Sequence, residues 1–429
     1  MKQILLFGAG KSATVLIDYL KITASEKHWM VMVADMNPEA VQAKIGEHKW
    51  VKAVCLSIDN EIERKALIVK ADVVISLLPP SLHYIVALDC LAMRKHLLTA
   101  SYEDEKIKLL ENEIKQKGIL FLYEMGLDPG IDHMSAMQLI HRIKSERGKI
   151  TSFISHCGGL VAPDSDNNPW HYKISWNPKN VVMAGKSGAV YKENYKIVIK
   201  KYEAMFLNCP EVCIPELGRL AFYPNRNSIS YITTYELPEV KNFIRTTLLH
   251  PDFCKGWEKM VALGFTNETD MIDSEGLSIS CFLQQAFARK KISFESELEK
   301  EQFIFLGWND ATFINKGRCS AAEILQFIIE KKWVLTKEDK DMVVMFHEID
   351  YEMKGLYLQV KSSLVVEGEN NLRTAMAKTV GLPLGIAATL ILDGKITETG
   401  LCIPIVSGIY EPVLKVLEDY GIKFLETNS

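Results

Sequence analysis

Residues 3–13 read QILLFGAGKSA, a short apolar run followed by two glycines and the start of a helical pattern. Gly8 and Gly10 allow the chain to turn tightly after a strand and let a pyrophosphate approach the N-terminus of the next helix. Ala13 stands at the position where this fingerprint accepts a small residue, because helix and strand pack closely there. The stretch therefore predicts a dinucleotide-binding unit.

The sequence on the C-terminal side of this stretch continues the same alternation to about residue 123. Short apolar runs alternate with amphipathic stretches, which indicates parallel strands joined by crossover helices. The predicted strands are 3–7, 30–35, 51–56, 73–77, 96–99 and 120–123, and the predicted helices are 11–20, 38–45, 82–93 and 104–117. Residues 1–125 are thus expected to form an α/β domain with a Rossmann doubly wound parallel sheet.

The pattern changes after residue 125, which predicts a second domain of mixed α/β type from 126–255 and 341–370. Strand signals fade over 256–340, where two helical patterns indicate a helical insertion. The segment 374–392 is nearly uncharged and helical, so it should be buried. We expect 371–429 to pack back on the first domain.

Composition narrows the possible partners and location of the chain. Hydrophobic residues make up 48%, charged residues 24%, and the net charge is -4, which favours neither nucleic acid nor a charged membrane as a partner. The nine cysteines are scattered, and Cys209 and Cys213 have no second pair to complete a zinc site, so no metal is expected. No signal peptide or uninterrupted apolar span is recognised, and a cytoplasmic location is predicted.

Asp35 ends the second predicted strand, where an acid hydrogen-bonds the adenosine ribose hydroxyls. Its carboxylate would repel the 2′-phosphate of NADP, and residues 36–39 contain no lysine or arginine to receive that phosphate. NAD is therefore favoured, with NADP possible. Ser76, Leu77 and Leu78 follow the fourth strand and either pass along the nicotinamide or only begin a loop.

Residues 124–133, EMGLDPGIDH, join the sixth strand to a helix at the carboxyl edge of the sheet, where open α/β sheets bind ligands. Asp128 precedes the turn and is expected to point into the cleft, whereas Asp132 is expected to cap the helix. His133 is interpreted as a packing or capping residue rather than a catalytic one.

Six segments together resemble the glutamate-forming saccharopine dehydrogenase (saccharopine reductase) family. They are EMGLDPGIDHMSA at 124–136, CGGLVAPDSDNNPWHYKISW at 157–176, YPNRNSISY at 223–231, RTTL at 245–248, DMVVMFHE at 341–348 and TAMAKTVGLPLGIAATLILDGKI at 374–396. The resemblance implies an NAD(P)-dependent oxidoreductase in which glutamate and 2-aminoadipate 6-semialdehyde condense to an imine that is reduced to saccharopine, or the reverse.

The resemblance also implies roles for individual residues, since saccharopine carries three carboxylates and an amine. Asp128, Tyr102 and Cys157 would be catalytic. The substrate would be bound by Ser101, Tyr102, Asp128, Arg226, Arg245, Thr246 and Thr247. The cofactor would be bound by Gly8, Gly10, Lys11, Ser12, Ala13, Asp35, Ser76, Leu77, Leu78, Ala100, Ser101, Leu127, Asp128, Pro129, Ser175 and Trp176.

Alternatives remain open at the level of the sequence. Thr246 replaces the glycine of the family's Arg-Gly-Thr, so its side chain could crowd a substrate carboxylate and the substrate could differ. A related oxidoreductase acting on another multi-carboxylate amino-acid conjugate is the first rival, and a non-catalytic NAD-binding protein is the second. In either enzyme we expect a homodimer acting on a small molecule.

Overall fold

The computed structural model describes residues 1–428, which divide into two compact units. The first unit comprises Met1–Arg147 and Leu372–Phe424. The second comprises Gly148–Asn371 and the residues from Leu425 onward.

Nineteen strands are present in residues 1–428. They are β1 Gln3–Phe7, β2 Met30–Asp35, β3 Val51–Cys55, β4 Val73–Ser76, β5 His96–Thr99, β6 Leu120–Leu122, β7 Lys149–Val161, β8 Ala189–Glu193, β9 Lys196–Lys200, β10 Glu211–Ile214, β11 Gly218–Pro224, β12 Arg226–Asn227, β13 Asn242–Leu249, β14 Met271–Asp273, β15 Arg318–Ser320, β16 Asp341–Met353, β17 Leu356–Glu367, β18 Gly400–Cys402 and β19 Leu425–Asn428.

Fifteen α-helices and three short 3₁₀ helices connect these strands within the same described range. The α-helices are α1 Thr14–Lys27, α2 Pro38–Ile45, α3 Glu61–Ile68, α4 Pro80–Met93, α5 Glu105–Lys108, α6 Glu111–Gln116, α7 Ile131–Ser145, α8 Pro178–Val182, α9 Ser230–Thr234, α10 Pro251–Leu263, α11 Ile279–Lys290, α12 Glu297–Leu306, α13 Ala321–Lys332, α14 Ala375–Leu392 and α15 Ser407–Asp419. The 3₁₀ helices are Lys11–Ala13, Pro163–Ser165 and Tyr202–Ala204.

The sheet of the first unit has the strand order β18-β6-β5-β4-β1-β2-β3, and every pairing is parallel. Leu5 at its centre pairs with Met32 on one side and Val74 on the other. Strands buried on both faces are rich in aliphatic residues, as this sheet is. The order 3-2-1-4-5-6 is that of a doubly wound dinucleotide-binding sheet, so the predicted Rossmann fold is confirmed.

Helix α14 belongs to the core of the first unit. By length and composition alone, this helix could cross a membrane, whereas we expected that no stretch would qualify. However, 72% of its apolar window is buried. It packs on α1, where a Cβ on Gly381 would lie 3.0 Å from Leu16 Cβ. The hydroxyl of Tyr19 donates to Thr389 Oγ1 at 3.3 Å. Burial inside the unit accounts for its apolar composition.

The second unit is built on a mixed sheet with the path β10-β11-β13-β7-β16-β17-β19, to which β8, β9 and β12 are attached. Strands β7 and β13 run parallel, whereas β16 is antiparallel to both β7 and β17. Helices α10 to α13 bury a large aromatic core that includes Trp170, Phe253, Trp257, Phe303 and Trp333.

Several boundaries differ from those expected. The first division falls after Arg147 rather than after residue 125, because α7 stays with the first unit, where His141 Nδ1 and the Tyr410 hydroxyl of α15 are 2.8 Å apart. The last residues, from Leu425, pair with β17 in the second unit. The helical region 256–340 is part of the second unit's core and not a separate body, and its helices extend back to Pro251.

Candidate functional site

The turn after β1 has the shape required for a nucleotide. Gly8 has a φ of +93°, and a Cβ there would lie 2.8 Å from the carbonyl oxygen of Leu77, so this position needs glycine. A Cβ on Gly10 would meet no atom within 4 Å, which leaves open space beside the backbone. The chain then enters the 3₁₀ turn Lys11–Ala13 and α1. A helix N-terminus beside an open glycine backbone fits a pyrophosphate.

A cleft of about 150 Å³ lies beside this turn in the first unit. It is lined by Gly10, Lys11, Ser12, Ala13, Ser76, Leu77, Leu78, Thr99, Ser101 and Val380. Eight of these ten residues were predicted to bind the cofactor, and the structure brings them together. Sequence reasoning missed Thr99 and Val380, although both lie on elements that it identified as buried.

Asp35 ends β2, as the sequence predicted, and its carboxylate lies against the glycine turn. Its Oδ2 accepts a hydrogen bond from the Ala9 N–H at 2.7 Å, and its Oδ1 accepts from the Asn37 N–H at 3.0 Å. Lys44, which the sequence analysis missed, reaches the same turn from the last turn of α2. Its Nζ donates to the carbonyl oxygens of Ala9 and Gly10 at 2.6 Å each. Burial lowers the pKa of Lys44, against the opposing effect of the Asp35 charge.

A buried histidine connects two serines of the cleft. His83 Nδ1 lies 2.8 Å from Ser76 Oγ, and its Nε2 lies 2.7 Å from Ser101 Oγ. Thr99 Oγ1 accepts the N–H of Ser101 at 3.2 Å. Burial lowers the pKa of His83 to about 4, so the ring is neutral at pH 7, with one donor and one acceptor nitrogen. His83 thus fixes the rotamer of Ser101, a role that no pattern in the sequence indicated.

The loop after β6 carries Asp128 and is tightly packed on itself. Gly130 has a φ of +146°, and a Cβ there would lie 2.1 Å from the carbonyl oxygen of Gly126. The N–H of Gly126 donates to the carbonyl oxygen of Pro129 at 2.9 Å. Asp132 accepts the Gly130 N–H at 2.6 Å, but Gly130 holds the N-cap position and Asp132 lies inside α7, so the expectation that Asp132 is the helix cap was wrong. The backbone around Asp128 is therefore held in one conformation.

Two of the predicted catalytic residues are neighbours in this loop region. The Tyr102 hydroxyl donates to Asp128 Oδ1 at 3.5 Å. A distance at the outer limit of a hydrogen bond permits proton exchange through a small movement of either side chain. Leu127 is buried, and a Cβ on Gly126 would lie 2.8 Å from Ala100 Cβ, so the predicted cofactor residues of this loop pack directly on the end of β5.

A buried glutamate and a buried histidine on either side of the loop contact each other. His133 Nε2 lies 2.8 Å from Glu124 Oε2, and the two side chains are 0% and 5% exposed. The second oxygen of Glu124 accepts the N–H of Glu103 at 3.2 Å. Burial, together with the Glu124 charge, raises the pKa of Glu103 to about 7. His133 has the packing role that was expected, while the part played by the two glutamates was not foreseen.

The second unit holds the predicted substrate arginines, on and next to its sheet. Arg245 on β13 is only 4% exposed, and its guanidinium lies 4.5 Å from the centre of the Tyr231 ring. Its backbone is fixed by Ser228, whose Oγ accepts the Arg245 N–H at 3.0 Å. Arg226 is exposed and has a φ of +48° on the short strand β12. Burial distinguishes the two arginines, although the sequence treated them alike.

The two threonines after Arg245 point to opposite faces of the sheet. Thr246 is 1% exposed, and its hydroxyl lies 2.7 Å from His156 Nδ1. Its side chain is therefore engaged in the core. Thr247 lies on the face of Arg245, next to the buried Cys157 in the parallel register of β13 and β7.

Ser175 and Trp176 lie at the edge of the aromatic core of the second unit. Ser175 is buried, and Trp176 is partly buried, with its indole N–H donating to the Tyr172 hydroxyl at 3.1 Å. Trp176 thus packs against the core of the second unit, and its contact with the cofactor stays a prediction. A larger cavity of about 690 Å³ lies elsewhere in this unit, and no predicted site residue lines it.

The predicted residues are thus distributed over both units. The cofactor residues other than Ser175 and Trp176, together with Ser101, Tyr102 and Asp128, lie in the first unit. The second unit contains Cys157, Ser175, Trp176, Arg226, Arg245, Thr246 and Thr247.

The family models divide the sequence between residues 122 and 126, whereas the two compact units divide after Arg147 and again after Asn371. The model of the saccharopine dehydrogenase NADP binding domain matches residues 4–122, and that of the saccharopine dehydrogenase C-terminal domain matches residues 126–422. The first region contains the glycine turn and every lining residue of the cleft except Val380, which lies in the second region. The chain therefore carries a nicotinamide dinucleotide-binding domain.

Full-length relatives support the match. The saccharopine dehydrogenase [NADP(+), L-glutamate-forming] of Saccharomyces cerevisiae is 30% identical, with 99% of each chain covered. The alpha-aminoadipic semialdehyde synthase of Arabidopsis thaliana is 30% identical and the mitochondrial one of Bos taurus 32%, each over 99% of this chain. The chain spans about half the length of these synthases, 44% and 47% respectively.

A solved structure agrees over the whole fold. Apo histidine-tagged saccharopine dehydrogenase (L-Glu forming) from Saccharomyces cerevisiae has a TM-score of 0.91 and 30% sequence identity, and all of both chains is covered. With both family models placed in order along the sequence, the chain belongs to the saccharopine dehydrogenase family.

Proposed function

We propose that the protein is an L-glutamate-forming saccharopine dehydrogenase. Saccharopine, NAD(P)⁺ and water would give glutamate, 2-aminoadipate 6-semialdehyde, NAD(P)H and a proton, or the reverse. The observation that carries this proposal is the match along the entire chain to the yeast enzyme of that name, in sequence and in fold. It places the reaction in lysine metabolism.

The first unit would bind and orient the nicotinamide dinucleotide, which supplies the hydride acceptor in one direction and the donor in the other. The open backbone at Gly10 and the N-terminus of α1 fit its pyrophosphate. Ser101, held by His83, would present a hydroxyl in the same cleft. Holding the reacting atoms in one geometry is the main protein contribution to hydride transfer.

Asp128 would move the protons that imine formation and hydrolysis require. A carboxylate can accept a proton from a secondary amine and return it, and the neighbouring Tyr102 hydroxyl can relay it to solvent. The rigid turn at Gly126 and Gly130 keeps the carboxylate in place while this occurs. Cys157 would contact the substrate beside Thr247, because the two residues are paired between β7 and β13 and Cys157 is buried.

Arg245 and Arg226 would bind substrate carboxylates. A guanidinium presents two parallel N–H donors that match a carboxylate, and burial strengthens the pair. Because Arg245 is almost fully buried, it should contribute more binding energy than the exposed Arg226. The engagement of Thr246 with His156 supports the saccharopine assignment over the rival conjugates, since this side chain is committed to the core.

We propose that NAD(H) is preferred over NADP(H). The relatives with this activity carry NADP(+) in their names, which favours NADP. In this chain the Asp35 carboxylate instead lies where a 2′-phosphate would meet a like charge. Lys44 reaches the glycine turn, but its ammonium is engaged by two backbone carbonyls. A homodimer and a cytoplasmic location remain further proposals.

A spectrophotometric assay tests the proposed function. Saccharopine is mixed with NAD⁺ and separately with NADP⁺, and the absorbance of the reduced nicotinamide is followed. Glutamate alone and a carboxylated polyamine serve as control substrates. The proposal expects reduction only with saccharopine, and faster with NAD⁺. Reduction only with the polyamine supports the rival oxidoreductase, and no reduction with any substrate supports the non-catalytic alternative.

A further inference from the structure

We propose that His171, His250 and Asp252 of the second unit form a binding site for a transition-metal ion of the Zn²⁺ class. One ligand atom from each residue lies within 4.8 Å of the others. His171 Nε2 is 3.6 Å from Asp252 Oδ2, and His250 Nδ1 is 3.8 Å from the same oxygen. In a tetrahedral zinc site, bonds of about 2.0–2.2 Å separate the ligand atoms by roughly 3.4 Å. Both distances from the histidine nitrogens to Asp252 Oδ2 are within a few tenths of an ångström of that spacing.

A carboxylate outside the ligand set fixes the histidine tautomer. Asp166 Oδ2 is 2.5 Å from His171 Nδ1, so this nitrogen carries the proton and Nε2 presents its lone pair to the cluster. A carboxylate behind a histidine is the usual arrangement at zinc sites, where it orients the ring and raises its basicity. The other oxygen, Asp166 Oδ1, is buried and has no hydrogen-bond partner among the described residues. A metal-bound water would give that oxygen a donor.

The two rings and the carboxylate of the cluster are closely spaced. The His171 and His250 rings are stacked with their centres 3.7 Å apart. Lys255 contacts Asp252 through Oδ1 at 3.3 Å, which leaves Oδ2 facing the histidines. Two carboxylates and two neutral rings would offset the charge of a divalent cation.

Binding requires the His250 ring to turn out of its stack with His171 and to give up one hydrogen bond. The stacked rings are inclined by 28°, so their in-plane lone pairs do not yet converge. The His250 side chain is 34% exposed and can turn to open this angle. In the structure, His250 Nδ1 accepts a hydrogen bond from the Asp252 N–H at 3.2 Å. This hydrogen bond would be replaced by a bond from Nδ1 to the metal. Three protein ligands at partly exposed positions leave a fourth position for water.

The site would connect two parts of the second unit. His171 lies shortly before Ser175 and Trp176 in the chain, whereas His250 and Asp252 lie at the start of α10. A bridging ion would hold these parts together and stabilise the folded unit by mass action. A cleft of about 580 Å³ lined by Asp166, His171 and Glu301 gives solvent access from one side.

The test is a metal titration of the chelator-treated full-length protein. Zn²⁺ is titrated by calorimetry, and Co²⁺ by its visible absorption, into the wild-type chain and three variants. The double variant His171→Asn/His250→Asn removes both rings, while asparagine tolerates the left-handed backbone of His171 (φ +50°) and retains a capping oxygen at position 250. Asp166→Asn removes the supporting carboxylate. His48→Asn, in the first unit, is the matched control.

The proposal expects the wild type and His48→Asn to bind one ion more than the double variant. It also expects Asp166→Asn to bind that ion 10–100-fold more weakly. Because the nine cysteines are free thiols that can also take up zinc, the difference in stoichiometry is the decisive quantity. Equal stoichiometry and affinity in all four proteins, with circular dichroism showing that each is folded, would overturn the site.

Discussion

Replacing His83 with glutamine isolates the buried histidine that links Ser76 to Ser101. The ring is 4% exposed and lies within 2.8 Å of one hydroxyl and 2.7 Å of the other. Glutamine retains one donor group and one acceptor but cannot take up a proton near neutral pH. The variant thus separates the hydrogen bonds of His83 from its titration.

The size of the effect follows from the pKa of the ring. Burial lowers the pKa of His83 from 6.5 to about 4. As the pH falls, the unfolded chain binds the proton first. The contribution of the neutral His83 to stability is therefore fully present above pH 6.5 and decreases towards pH 4. Because the pKa of His83 differs between the folded and the unfolded state, the free energy of unfolding of the wild type falls by about 2 kcal/mol between pH 7 and pH 5. In His83→Gln, the altered hydrogen bonds lower the free energy of unfolding by roughly 1 kcal/mol, and this loss is nearly independent of pH.

The assay is urea unfolding at pH 7 and pH 5 for the wild type, His83→Gln and a control, His28→Asn, which changes an exposed histidine. At pH 7 the wild type should be more stable than His83→Gln. At pH 5 the order should reverse, because the wild type loses about 2 kcal/mol that His83→Gln keeps, while the control should follow the wild type. An advantage that is the same at both pH values would refute the buried, neutral state of His83.

Four other substitutions test the proposed site. Asp128→Asn should lower turnover about 100-fold or more with the Kd of NADH unchanged, and unaltered turnover in steady-state kinetics would remove Asp128 from the mechanism. Asp35→Ser should raise the ratio of kcat/KM for NADP⁺ over NAD⁺ at least about tenfold, because a like charge is removed from the 2′-phosphate position; a constant ratio contradicts the NAD preference. Arg245→Met should raise the KM for saccharopine by about tenfold or more, and an unchanged KM excludes a carboxylate contact. Gly130→Ala should lower the Tm by several degrees in a thermal melt, since its Cβ would lie 2.1 Å from Gly126, and an equal Tm would disprove the tight turn.

The first unit was largely predictable from its sequence because its signals are local. Apolar runs set the six strands from β1 to β6, and the glycines after Phe7 set the turn into α1. The seventh strand, Gly400–Cys402, was missed because three residues carry no periodic pattern. Its position beside β6 depends on the tertiary packing of the C-terminal segment rather than on its own residues.

The second unit was less predictable because its core is assembled from distant segments. Trp170 and Trp333 pack with their ring centres 5.3 Å apart although 163 residues separate them in the chain. Helices α10 and α12 were not predicted, and both bury aromatic residues in this core. Nothing local in 256–340 indicated that the helices complete the mixed α/β unit.

At the candidate site, the sequence indicated the backbone elements that a motif defines but not the side chains that meet there from different elements. The glycine turn, Asp35 and the Asp128 loop lie as expected in the first unit. Lys44 and His83 were missed because each acts at a turn or strand end remote from its own position in the sequence. Such contacts are set by the packing of helices on the sheet.

The identity of the products tests the central claim most directly. The secondary amine of saccharopine has two oxidisable C–N bonds, and each gives a different pair of products. After incubation of the protein with saccharopine and NAD⁺ or NADP⁺, mass spectrometry should detect glutamate and 2-aminoadipate 6-semialdehyde in equal amounts to the reduced nicotinamide. Lysine and 2-oxoglutarate in their place, or saccharopine recovered unchanged with both cofactors, would contradict the proposed activity.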